Sequence, residues 1–140
     1  MKNFRHYVLD ANALIAVFKD EEGAQVVRDI LTKASNKDVT ISMAAYNLLE
    51  VYYQTYRKGG SLEAQEMLAK VDGLPIRIVR EMTRELLEEA GRLKGSYKLS
   101  LADAVALAEA SLSGGALVTA DHHEMDIIER QEKINFCWIR

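Results

Sequence analysis

The chain has 140 residues, 49% of them apolar, with one Pro and one Cys, which suits one compact domain over residues 1–140 and is too little for two. Lys and Arg total 18 against 21 Asp and Glu, a formal charge of −3; this excludes a basic coat that holds nucleic acid by bulk charge, but not an enzyme that recruits cations to an acidic site. The longest apolar run, Ala13 to Phe18, has six residues, the stretch Met1 to His6 has no leader-like apolar region, and a lone Cys137 gives no disulfide framework or cysteine zinc site, so the expectation is a cytoplasmic protein with no membrane span.

His6 to Leu9 is an apolar run with β-branched and aromatic character, closed by Asp10, and predicts a buried strand. Asn12 to Phe18 predicts a short helix, and Ala24, Val27, Ile30, Leu31 and Ala34 form the stripe of a second. Val39 to Ile41 predicts the next strand. Met43 to Arg57 predicts a long helix with Ala45, Leu48, Leu49, Tyr52 and Tyr56 inward, ended by Gly59-Gly60. Ser61 opens a further helix, with Ala64, Met67, Leu68 and Val71 inward, and Pro75 to Val79 predicts a third strand. Glu81 to Lys94 predicts a helix with Met82, Leu86, Ala90 and Leu93 as its core stripe and Arg84, Glu88 and Arg92 as a solvated charge row. Leu101 to Leu112 is apolar nearly all round and predicts a buried helix, stopped by Gly114-Gly115. Ala116 to Thr119 predicts a fourth strand, His123 to Arg130 a short helix, and Ile134 to Trp138 the last strand. Strands alternating with helices predict a parallel sheet with helices on both faces. In such folds ligands lie beyond the carboxyl ends of the strands.

Four acids stand out. Asp10 and Asp121 each follow a strand, and Asp103 opens the buried helix beside the second of them. Each also admits a capping reading: Asp10 before a helix, Asp121 with Glu124 at capping-box spacing, and Ser100 with Asp103 at the same spacing. Glu50 lies off the apolar stripe of its helix, as a solvated acid would. If the first and fourth strands are neighbours, Asp10 and Asp121 meet at one sheet edge. Carboxylates gathered there repel one another unless a hard divalent cation joins them. His122-His123 offers no metal site, because adjacent helical side chains point apart and no third soft ligand has the right spacing. Lys19, Lys94 and Lys98 are candidate phosphate contacts by loop placement alone. Tyr46 and Tyr53 form a flank suited to a second copy or a partner helix.

These residues resemble the PIN-domain family, and within it the VapC-type toxin ribonucleases. Asp10-Ala11-Asn12 with Ala13-Leu14 resembles the first motif, Asn47-Leu48-Leu49-Glu50-Val51 the second, Leu101-Ala102-Asp103-Ala104 the third, and Thr119-Ala120-Asp121-His122-His123-Glu124 the fourth. Met125 departs from the aromatic many relatives carry, and Asp126 matches as an additional acid only loosely. The resemblance implies a three-layer α/β/α fold with a parallel sheet of about five strands in order 3-2-1-4-5. It implies RNA cleavage dependent on Mg²⁺ or Mn²⁺, with Asp10, Glu50, Asp103 and Asp121 catalytic, and Asp10, Asp103 and Asp121 on the metal. Asn12 and Thr119 match positions that orient substrate or water. A homodimer and a small antitoxin partner are implied as well. Two other readings stay open: a housekeeping nuclease of RNA maturation or structured DNA, and a PIN-like module that binds without turnover.

Overall fold

In the computed structural model, which describes residues 3–140, the elements run β1 (His6–Leu9), α1 (Ala11–Phe18), α2 (Ala24–Ser35), β2 (Thr40–Ala44), α3 (Ala45–Asp72), β3 (Arg77–Val79), α4 (Arg84–Ser96), α5 (Leu101–Ser113), β4 (Ala116–Thr119), α6 (His122–Gln131) and β5 (Asn135–Trp138). Met1 and Lys2, which open the stretch without a leader-like region, lie outside the described residues. The strands form one sheet in the order β3-β2-β1-β4-β5. Every pairing is parallel, with Val8 opposite both Ser42 and Leu117. All five carboxyl ends therefore share one edge.

Side chains alternate across β1 because strand residues point to opposite faces. Tyr7 and Leu9 join Leu14, Val27, Ile30, Ile41, Met43, Val51 and Val118 in a core beneath α1, α2 and α3. Val8 joins Leu86, Leu93, Val105, Leu107, Leu117, Met125 and Ile128 beneath α4, α5 and α6. These two cores make the expected three-layer α/β/α architecture. Met125 fills its place with no exposed surface, so the position that departs from the family's aromatic is a packing position. Among the described residues no helix is long and apolar enough to cross a membrane.

Several boundaries and one helix face differ from expectation. β2 runs on through Met43 and Ala44, which pair with Ile78 and Val79, so α3 begins at Ala45. β3 begins at Arg77, after Pro75, which has no N–H to give a ladder. α4 begins at Arg84, because the Thr83 hydroxyl accepts the Leu86 N–H at 3.1 Å and caps the helix there. Arg92 does not continue a charge row to Glu88; it pairs with Glu89 and Glu132, each at 2.8 Å. The buried face of α3 is rotated from the apolar stripe. Asn47 and Val51 are buried, while Leu49 is 59% and Tyr56 51% exposed. The expected break at Gly59-Gly60 is present: Gly60 adopts φ 84° and ψ −174°, a conformation open to glycine at little cost, and divides α3 into two stretches.

Candidate metal and catalytic site

β1 and β4 are neighbours, so their C-terminal residues meet. The Asp10 N–H donates to the Val118 carbonyl at 3.3 Å, which continues the sheet by one bond and fixes the Asp10 backbone. Asp10 then caps α1, its Oδ1 accepting the Ala13 N–H at 2.9 Å. Its second oxygen, Oδ2, is buried without a hydrogen-bond partner. Capping uses half of this carboxylate and leaves the other half for something else. Asp10 is 1% exposed and Thr119, beside it on β4, is fully buried.

Asp121 caps α6 in the same way, Oδ1 accepting the Glu124 N–H at 3.2 Å, while its own N–H donates to Thr119 Oγ1 at 3.1 Å. Thr119 thus holds the turn that carries Asp121 and flanks Asp10. Asp103 lies in the first turn of α5, where Ser100 Oγ accepts its N–H at 3.1 Å. Glu50 is half-buried on α3, and the Gln54 amide donates to its Oε2 at 3.4 Å. Asn47, one turn before Glu50, donates from Nδ2 to the Ala102 carbonyl at 3.2 Å and ties α3 to the start of α5. Asn12 is half-buried in the first turn of α1, next to Asp10.

The electrostatics link the acids to one another. Burial pushes the Asp10 carboxyl up to about 7; the charges of Asp103 and Asp121 add to the rise, against the Thr119 hydroxyl and the Ala13 N–H. Burial also raises Asp103 to about 6, with Asp121, Glu50 and Glu124 pushing the same way and Ser100 opposing. Glu50 is raised by burial and by Asp121. Asp10, Glu50, Asp103 and Asp121 therefore lie in one field, and Glu124 joins them. The sequence pattern places Glu124 in a capping box and gives no separate sign of this. Asn47 is equally hidden there, as a polar residue found only within the second motif. Asp126 lies apart: its Oδ1 is 2.8 Å from His122 Nδ1, and it is not among the charges acting on Asp10, Asp103 or Glu50. His122 is occupied by that contact, by the Arg140 carbonyl at 2.8 Å and by stacking on Trp138.

Among the described residues no three His, Cys, Asp or Glu side chains are gathered as a ready ligand set. The donors nonetheless fit a hard divalent cation. All are oxygens, as Mg²⁺ and Mn²⁺ prefer. One is a buried carboxylate oxygen with no partner, which is costly until something satisfies it. Burial raises these carboxyl groups most, and the mutual repulsion that adds to it is the repulsion a cation would remove.

Comparison with known proteins agrees with the fold. No curated protein matches the chain in sequence. Among solved structures, a toxin–antitoxin complex from Klebsiella pneumoniae is similar at 18% identity and a TM-score of 0.70, over 96% of this chain and 98% of that one. VapBC2 from Rickettsia felis, bound to a DNA fragment from its promoter, is similar at 16% identity and 0.73, over 94% and 97%. The sarcin-ricin loop cleaving toxin VapC20 of Mycobacterium tuberculosis is similar at 15% identity and 0.66, over 86% and 94%. At these identities the likeness is one of fold. The family model for the PIN domain matches residues 7–130, a span that holds most of both cores and all the clustered acids, and the chain belongs to the PIN-domain family.

Proposed function

We propose that this protein is a ribonuclease dependent on Mg²⁺ or Mn²⁺, and the toxin of a toxin–antitoxin pair. The observation that carries the reading is the buried, half-used carboxylate of Asp10, set beside Asp103, Asp121 and Glu50 at the carboxyl edge of a PIN sheet. The toxin half is supported by the fold shared with toxins of known complexes, one of which is described as cleaving the sarcin-ricin loop. Asp10, Asp103 and Asp121 would hold the cation, which supplies positive charge for the phosphodiester and makes water a better nucleophile at neutral pH. Glu50 orients the attacking water. Thr119, which holds the turn that carries Asp121, and Asn12, beside Asp10 in the first turn of α1, would position it.

The partners follow from the exposed surface. Tyr46, Leu49, Tyr53 and Tyr56 leave an apolar stripe on the outer side of α3, suited to a second copy of the chain, and a small antitoxin would cover the acidic edge. The test is cleavage of a mixed RNA pool by protein freed of metal and then given Mg²⁺, Mn²⁺ or EDTA. Cleavage with either cation and none with EDTA supports the reading. Cleavage undiminished by EDTA contradicts it. Light scattering of the purified chain tests the dimer, for which the expected mass is twice 15.7 kDa.

A further inference from the structure

Two helices leave the acidic edge and end together. α1 is capped at its start by Asp10 and at its end by Lys19. α3 carries Glu50 and, eight residues on in the same unbroken stretch, Lys58. At the rise of an α-helix Lys58 lies roughly 12 Å further along the axis. There both lysines, each exposed, line one cleft. The neighbouring Lys58 ammonium holds Lys19 below the usual lysine range, with Glu21 and Glu63 opposing.

Lys19 and Lys58 line a cleft of about 210 Å³ with Gln54, Lys70, Glu63 and Glu66. Neither Lys19 nor Lys58 belongs to an ion pair formed among the described residues. Each lysine lies near the C-terminal end of a helical stretch, where one cation is favoured, but two side by side repel. An anion between them removes the repulsion and takes a charge-assisted hydrogen bond from each. Gln54 lines the cleft and donates to Glu50 at 3.4 Å, so the wall of the cleft is tied to one acid of the site. The other candidate lysines offer less. Lys94 is spent on the Leu99 carbonyl at 2.7 Å, and Lys98 lines no cleft with these groups.

We infer that Lys19 and Lys58 together hold a backbone phosphate a few nucleotides along the RNA strand whose scissile phosphodiester lies at Asp10, Glu50, Asp103 and Asp121. The inference rests on the ribonuclease reading and extends it to the path of the substrate. The lysines are positioning residues: they touch the strand away from the bond that breaks. Their contact is indifferent to base sequence, as phosphate contacts are.

The test compares wild type, Lys19→Ala with Lys58→Ala, and Lys19→Arg with Lys58→Arg. Each is assayed on a single-stranded RNA oligonucleotide in Mg²⁺, and KCl titrations measure its binding in an Asp103→Asn background. The alanine pair is expected to raise KM about tenfold with kcat within about twofold, and to lower the slope of log affinity against log salt by about 0.7, the share of one phosphate on a single strand. The arginine pair is expected to restore both. The two single alanine variants, each expected to show part of the shift, keep the test decisive however the double variant folds. If wild type cleaves while the alanine pair keeps its KM and salt slope, the lysine site is overturned and the ribonuclease reading stands. A loss confined to kcat overturns the site as well. If wild type neither binds nor cleaves RNA, the ribonuclease reading falls and this inference falls with it.

Discussion

Asp10 is two things at once, and its two oxygens separate them. Oδ1 closes the first turn of α1, a task asparagine performs as well as aspartate. Oδ2 is buried and unpartnered, a place a bound cation would fill. Asp10→Asn therefore keeps the cap and removes the buried charge. We expect the variant to lose RNA cleavage yet to be more stable than wild type in EDTA above pH 7, as read by thermal melting. The sign follows from the raised carboxyl. With a folded value of about 7 against an ordinary 3.8, the native state binds more protons than the unfolded chain across that interval, so stability falls as pH rises through it. The full penalty is on the order of 4 kcal/mol, at 1.36 kcal/mol per pKa unit. Asp103, raised to about 6, acts in the same direction over a narrower interval. Metal-free wild type should accordingly melt higher at pH 5 than at pH 8, and Mg²⁺ or Mn²⁺ should raise the melting point at pH 8 more than at pH 5. Equal cation effects at both pH values would mean that the ion binds elsewhere.

At the scale of elements, Asn47 and Gly60 decide where α3 lies. Asn47 is buried and spans from α3 to the Ala102 carbonyl, which sets Glu50 beside Asp103. Asn47→Ala should cost about 1 kcal/mol of stability and a larger share of activity, because it loosens the register of the helices that carry Glu50 and Asp103. Denaturant melts and initial rates together check this; unchanged activity would remove Asn47 from the site. Gly60, at φ 84° and ψ −174°, turns the second half of α3 back toward α1. Gly60→Ala should cost about 1–3 kcal/mol, measurable by the same melts. These elements also show what a sequence can and cannot tell. β1 and β4 were legible because a short apolar run closed by an acid, as before Asp10 and Asp121, suits a buried strand and little else. The face of α3 was not: Leu48, Leu49, Tyr52, Tyr53 and Tyr56 put apolar groups on more than one side of that helix, so periodicity selects no unique stripe. Burial went to the side that places Asn47 against α5. Glu50 was singled out only by its motif, and the spacing of Glu124 does not separate a glutamate that caps α6 from one that acts on Asp103.

At the scale of the molecule, an all-parallel sheet places every carboxyl end on one edge, and the order β3-β2-β1-β4-β5 puts β1 and β4 side by side. That order brings Asp10 and Asp121 together from opposite ends of the chain. The capping of α5 by Ser100 then adds Asp103 from the layer behind. The layered parallel sheet was legible from alternation and its strand order only from the family resemblance, while the function was legible from neither pattern, since the same sheet serves many chemistries. What separates them is the acid cluster in a chain of net charge −3, which must acquire positive charge before a polyanion can approach. The measurement that tests this most directly is RNA cleavage by wild type and Asp103→Asn, purified identically, in Mg²⁺, in Mn²⁺ and in EDTA. The account predicts cleavage by wild type with a divalent cation, none in EDTA, and a loss of at least about 100-fold in the variant, the scale expected when a charge-stabilising group is removed from an active site. Cleavage that survives both EDTA and Asp103→Asn would contradict it.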